Sequence, residues 1–189
     1  MLKKIYPANM RRSFHNALHN ILALITGVKC RLCQESIRLF RTAGGAIDFM
    51  PRSLCPLCLE RLSQSNYTGE IFFQSAPEPL SYVSLAAYET EMVSLIHAIK
   101  YSGDIPSALD LSYLLFSLLE STLVKEDVTY LVVPVPLHRE KEKERGYNQA
   151  QIISANICRL ADIYGQLGLR LVHAPELLVR RKHTRVQRS

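Results

Sequence analysis

The sequence predicts an α/β chain with a small cysteine-rich module ahead of its main body, on three observations. Two Cys-x-x-Cys pairs lie close together, CRLC at 30–33 and CPLC at 55–58. A β-branched apolar run, VTYLVVPVP (128–136), passes through a charged stretch into an amphipathic helix, which is how a central parallel strand and its crossover read. Ahead of that strand come two helical patterns, one with apolar residues at i, i+3, i+4 and i+7 and one apolar nearly throughout.

A chain of 189 residues holds one ordinary domain of about 100–150 residues and a small satellite. With 48% hydrophobic and 21% charged residues, it can bury a core, and the disordered class is excluded. The net charge of +6 is unevenly placed. Residues 1–34 carry Lys3, Lys4, Arg11, Arg12, Lys29 and Arg31 with no acid, residues 180–189 carry five bases with no acid, and all 17 acids lie between. Terminal basicity of this kind suits a polyanion or phosphate partner reached by the ends, and equally suits solubilising tails.

Residues 1–27 read as a basic amphipathic segment with a helix over Ser13–Ile25, fit either for packing on the body or for a membrane surface. No apolar run reaches the roughly 18–20 residues that span a bilayer, and no cleavage site of the secretory kind follows Ile25. A cytoplasmic protein without a transmembrane segment is expected.

The two cysteine pairs define the next unit, residues 28–64. Each pair bends into a knuckle that aims two thiolates at one point, and two knuckles complete a tetrahedral S4 shell. Cys30, Cys33, Cys55 and Cys58 are therefore the expected ligands of a structural Zn²⁺, in a ribbon of short strands with turn residues at Gly44-Gly45 and Pro51-Arg52-Ser53. An odd total of five cysteines and a reducing compartment argue against a disulfide framework. Four cysteines leave no open position for a catalytic water. Cys158, at an apolar helical position, reads as a core residue.

Residues 65–80 read as a linker, and the body extends over 80–189. Its first element is a strand, YVSLAAYE (82–89). A helix follows with Met92, Leu95, Ile96 and Ile99 on one face, ending near Gly103. His97 reads as a helix residue rather than a ligand, and Lys100 falls in the last turn, where a cation suits the dipole. A buried helix follows Pro106, then the strand within 128–136. The helix of 148–164 has Asn148 as its N-cap, with Gln151 three residues on. The intervening HREKEKER admits two readings: a solvated charged loop, or one side of an anion site at a strand end and helix N-terminus, with Gly146 allowing close approach and Arg145 supplying a planar donor fork.

The motifs taken together resemble the ComF family of competence-associated proteins. The resemblance rests on the double Cys-x-x-Cys ribbon, LIHAIKYSGD (95–104), VPVPLHREKEKERGYNQAQ (133–151) and LLVRRKHTRVQ (177–187), in that order. It implies a zinc ribbon joined to a type I phosphoribosyltransferase-like (Rossmann-like) domain, in a bacterial protein linked to DNA uptake in natural competence. It also implies a ligand, 5-phosphoribosyl 1-diphosphate (PRPP), bound with Mg²⁺ in complete members. By the same resemblance, Arg145, Gly146, Tyr147, Asn148 and Gln149 meet the diphosphate, and Thr184 and Gln187 begin a mobile loop.

The family's acidic pair, followed by a Thr- and Gly-rich turn that cradles the ribose 5-phosphate, is missing: the only Thr-Gly pairs here are Thr26-Gly27 and Thr68-Gly69. The expectation is an incomplete domain, truncated at its C-terminus, with no transferase activity, no nameable catalytic residue and weak PRPP affinity. The alternative is a non-catalytic zinc-ribbon module that binds single-stranded DNA or a competence-machinery protein.

Overall fold

The computed structural model describes residues 28–37, 53–75, 77–123, 128–164 and 169–182. The first knuckle is a minimal hairpin in which strand β1 (Val28–Lys29) pairs antiparallel with β2 (Ser36–Ile37), Val28 opposite Ile37 and Lys29 opposite Ser36. Cys30 begins the turn: its N–H donates to the Glu35 carbonyl at 2.7 Å, and its carbonyl accepts from the Gln34 N–H at 2.9 Å. Gln34 adopts φ 62°, the left-handed conformation that reverses the chain in so few residues.

The chain divides into two units between Cys55 and Pro56, inside the second cysteine pair. This pair departs from the expected ribbon of strands, because CPLC opens a helix, α1 (Pro56–Ser63). Proline at the first helical position has φ already set and lacks only an N–H that no helix uses there. Leu59 and Leu62 then fall on the same buried face as Cys58. The expected turn residues Gly44-Gly45 and Pro51-Arg52 lie outside the described residues.

The expected linker holds a strand. β3 (Tyr67–Ile71) pairs antiparallel with β4 (Leu80–Ser84), so the strand expected over 82–89 begins earlier and stops at Ser84. Gly69 reads locally as a breaker, yet its lack of a side chain admits its cross-strand neighbour: a Cβ built there would lie 2.8 Å from Cε1 of Tyr82. Tyr67, Ile71, Leu80 and Tyr82 share one face of this hairpin by register and are all exposed.

Helix α2 (Thr90–Tyr101) buries Met92, Leu95, Ala98 and Ile99, close to the expected stripe. His97 packs edge-on against Tyr101, with ring centroids 5.4 Å apart. Asp104 caps α3 (Ile105–Thr122): its two carboxylate oxygens accept from the Ser107 N–H at 3.2 Å and the Ser107 hydroxyl at 2.8 Å. Ala108, Leu111, Leu114 and Phe116 turn inward from α3.

β5 (Thr129–Val132) pairs in parallel with β6 (Arg170–His173), Thr129 opposite Arg170 and Val132 opposite His173. Parallel pairing requires a crossover, supplied by α4 (Arg139–Arg145) and α5 (Gln149–Tyr164). Two sequence expectations change here. The charged loop is in part the helix α4. The strand expected to be buried on both faces is buried on one: Tyr130 and Val132 pack inward, whereas Leu131 is 59% exposed, beside Val172 at 47%. The core of this βαβ unit joins Phe116 of α3, Ile157, Leu160 and Ala161 of α5, and Leu169 and Leu171 around β6; Cys158 lies within it, as its helical position implies. A 3₁₀ turn over Pro175–Leu177 follows β6.

Among the described residues the strands form three two-stranded sheets, and no helix is long and apolar enough to cross a membrane. The basic segment 1–27, Thr184 and Gln187 lie outside the described residues.

Candidate metal centre and the strand-to-helix loop

The sulfur atoms of Cys30, Cys33, Cys55 and Cys58 all lie within 4.8 Å of one another. The Cys33 and Cys55 sulfurs lie 3.6 Å apart, and none of the five cysteines is in a disulfide. A tetrahedron of thiolates with metal–sulfur bonds of about 2.3 Å has edges of about 3.8 Å, so the cluster needs only small adjustments to close on one ion. Cys30, Cys55 and Cys58 are buried, and Cys33 is exposed.

Local geometry favours thiolate over thiol. The backbone N–H of Cys55 donates to the Cys30 sulfur at 3.3 Å. Burial acts to raise the Cys30 thiol, but N–H groups of Cys33, Cys55 and Leu32, together with the Cys33 side chain, outweigh it and lower the pKa from 9.0 to about 7. On α1, one turn beyond Cys58, the Arg61 guanidinium lies 3.9 Å from the Cys58 sulfur while pairing with Glu91 at 2.5 Å. A cation there offsets part of the charge that four thiolates would carry. Cys158 is the contrast: burial, with Asp162 nearby, pushes its thiol up to about 11, and it stays an inert core thiol.

The five residues at 145–149 come together at the end of α4 and the start of α5, and each has a local task. Arg145 lies over the Tyr101 ring, 5.4 Å from its centroid, and donates to Gln149 Oε1 at 3.2 Å. Gly146 ends α4 at φ 80°, its N–H bonded to the Glu142 carbonyl at 2.7 Å. Glycine suits that left-handed C-terminal position, and a Cβ built there meets nothing within 4 Å, so the space beside this backbone is open. The Tyr147 hydroxyl donates to the Ile99 carbonyl and ties the loop to α2.

Asn148 is buried and works at both ends of its amide. Its Nδ2 donates to the Val135 carbonyl at 3.1 Å, and its Oδ1 accepts from the Ala150 N–H at 3.0 Å. It thus caps α5 as its sequence position suggests, and also holds the extended segment leaving β5. These bonds place Arg145, Gly146 and the α5 N-terminus beyond the carboxyl end of a parallel strand, where α/β proteins collect anions.

A contact that sequence reasoning missed closes the far side of α5: Ser154 Oγ lies 2.9 Å from His173 Nε2 at the end of β6. Burial lowers the His173 pKa below its ordinary 6.5, with Glu176 partly opposing. Between the depressed folded value and 6.5 the unfolded chain binds the extra proton, so this group's contribution is full above pH 6.5 and lost as pH falls through the folded value. Denaturant midpoints are therefore expected to drop between pH 7.5 and 5.5 in the wild type, and by less in His173→Gln.

No family model, curated protein or solved structure matches the chain.

Proposed function

We propose that the chain is a phosphoribosyltransferase-like protein of the ComF type, cytoplasmic and linked to DNA uptake in competence. In this reading the four cysteines hold a structural Zn²⁺, and the loop from β5 to α5 receives the diphosphate of PRPP. The observation that carries it is the placement of Arg145–Gln149: a guanidinium, an open glycine backbone and a helix N-terminus converge past the end of β5, within a parallel βαβ unit. The zinc reading rests on donor chemistry, since four thiols at near-tetrahedral spacing with nearby N–H donors suit a closed, non-catalytic site.

Mg²⁺ enters with the diphosphate. Among the described residues the four cysteines form the one group of three or more candidate ligands within reach of a single ion, so those residues supply no carboxylate cage for magnesium, and the ligand's own oxygens would hold it. The acidic pair and Thr-Gly turn that would cradle the 5-phosphate are not among these 189 residues. Binding of the diphosphate end is proposed for them, and turnover is not.

Calorimetry on the metal-loaded chain tests this. Titration with PRPP in MgCl₂ is expected to give weak saturable binding that vanishes with EDTA added after metal analysis has confirmed that the cysteine site is retained. Arg145→Ala should weaken it by roughly tenfold or more, the value of one charge-assisted contact. A folded, metal-loaded sample with no PRPP signal in magnesium would overturn the proposal.

A further inference from the structure

A pocket of about 450 Å³ opens where residues 84–88, α2, α3 and the first turn of α5 meet. This is within the range of small-ligand sites. Its walls are mainly aliphatic, with Leu85, Ile96, Leu111, Leu115 and Ile153 among them. Four polar side chains join the lining: Ser84, whose hydroxyl already donates to the Ala86 carbonyl, the half-exposed Tyr88, Lys100 from the last turn of α2 and Gln149 from the first residue of α5; the last two carry the argument.

Gln149 carries the second observation. Its side chain is nine-tenths buried, and Oε1 is taken by Arg145, but Nε2 is enclosed with no hydrogen-bond partner. A buried amide donor in that state is costly, and an apolar residue would fill a purely apolar wall better. Lys100 makes no ion pair among the described residues. The two groups ask for the same thing, an acceptor bearing negative charge, at the edge of an apolar chamber.

We infer that this pocket binds a small amphiphilic acid, an aliphatic carboxylate of about six to ten carbons by its volume. The chain lies along the Leu and Ile walls, and the carboxylate meets Lys100 and, after a slight turn of the amide, Gln149 Nε2. A cationic head would face Lys100 and two donors. A neutral apolar ligand would leave both groups unanswered. An aromatic base would find one stacking partner in the lining, Tyr88, itself half exposed. The inference shares Gln149 with the diphosphate reading but does not require it.

The test uses the full metal-loaded chain with three probes of equal length: octanoate, 1-octanol and octylamine, followed by calorimetry and by methyl resonances of Ile96, Ile99 and Ile153. Octanoate is expected to bind saturably at one site and shift those methyls, octanol to bind about tenfold more weakly, and octylamine not to bind. Lys100→Gln should cost octanoate about tenfold and leave octanol unchanged. Ala150→Leu, which enlarges a residue of the lining, should remove binding of both. No saturable octanoate binding, equal binding of octylamine, or wild-type affinity in both variants would overturn it. PRPP titrated against the same sample separates the two readings: loss of PRPP binding with octanoate retained sinks only the diphosphate proposal, and the converse sinks only this one.

Discussion

Exchanging Cys55 for serine is expected to empty the four-thiol site and unfold the segment it organises. The first knuckle is small: β1 and β2 are two residues each, and among the described residues of 28–55 the fully buried side chains are Cys30 and Leu54. On the zinc reading a unit of this size would gain much of its folding free energy from the ion, and structural zinc supplies on the order of 10–16 kcal/mol in peptide systems near neutral pH. A serine hydroxyl is a poor ligand at that pH. Metal analysis should fall from about one equivalent to near zero, with proteolysis appearing within residues 28–64. Cys158→Ser, which touches only the core of the βαβ unit, should keep its metal. Cys55→Ser protein that retained a full equivalent would show that the thiols are not the ligands.

The second large effect is expected at Asn148. Replacement by leucine removes the cap of α5, a loss of about 0.5–2 kcal/mol, and strips the Val135 carbonyl of its donor, which costs about 1–3 kcal/mol where the site stays dry. A combined destabilisation of about 2–4 kcal/mol by chemical denaturation follows, with some overlap between the two losses. Asn148→Asp separates them, because it keeps the acceptor for the Ala150 N–H and loses only the donor to Val135. A leucine variant within about 0.5 kcal/mol of wild type would mean that neither bond matters to the fold.

How much of this was legible in the sequence follows from the range of the interactions. The cysteine cluster was, because Cys-x-x-Cys spacing is local chemistry and two such pairs have few other uses. Helices α2, α3 and α5 were, because their apolar period is internal to each segment. β3 was not: its partner strand begins nine residues on, and Gly69 reads as a breaker until Tyr82 is placed beside it. β6 was missed for a similar reason, since four residues become a strand only beside β5. The charged run 139–145 concealed a helix because α4 is held by its terminal cap at Gly146 and not by an apolar stripe. At the loop, the residue types of 145–149 were legible, but their division of labour was not. Tyr147 and Asn148 anchor the loop to Ile99 and Val135, Arg145 is held over Tyr101 and against Gln149, and the Gly146 backbone is exposed.

The close approach of Tyr82 to Gly69 gives the hairpin a built-in spectroscopic marker. The phenol ring sits where a side chain would otherwise be, so the α-protons of Gly69, one of which points at the ring, are expected to resonate apart from ordinary glycine values. A slip of one residue between the strands would turn Tyr82 to the opposite face and return those protons to their usual position. A single pair of NMR lines therefore reports whether this exposed, aromatic hairpin is intact, in the free protein or with anything bound to it.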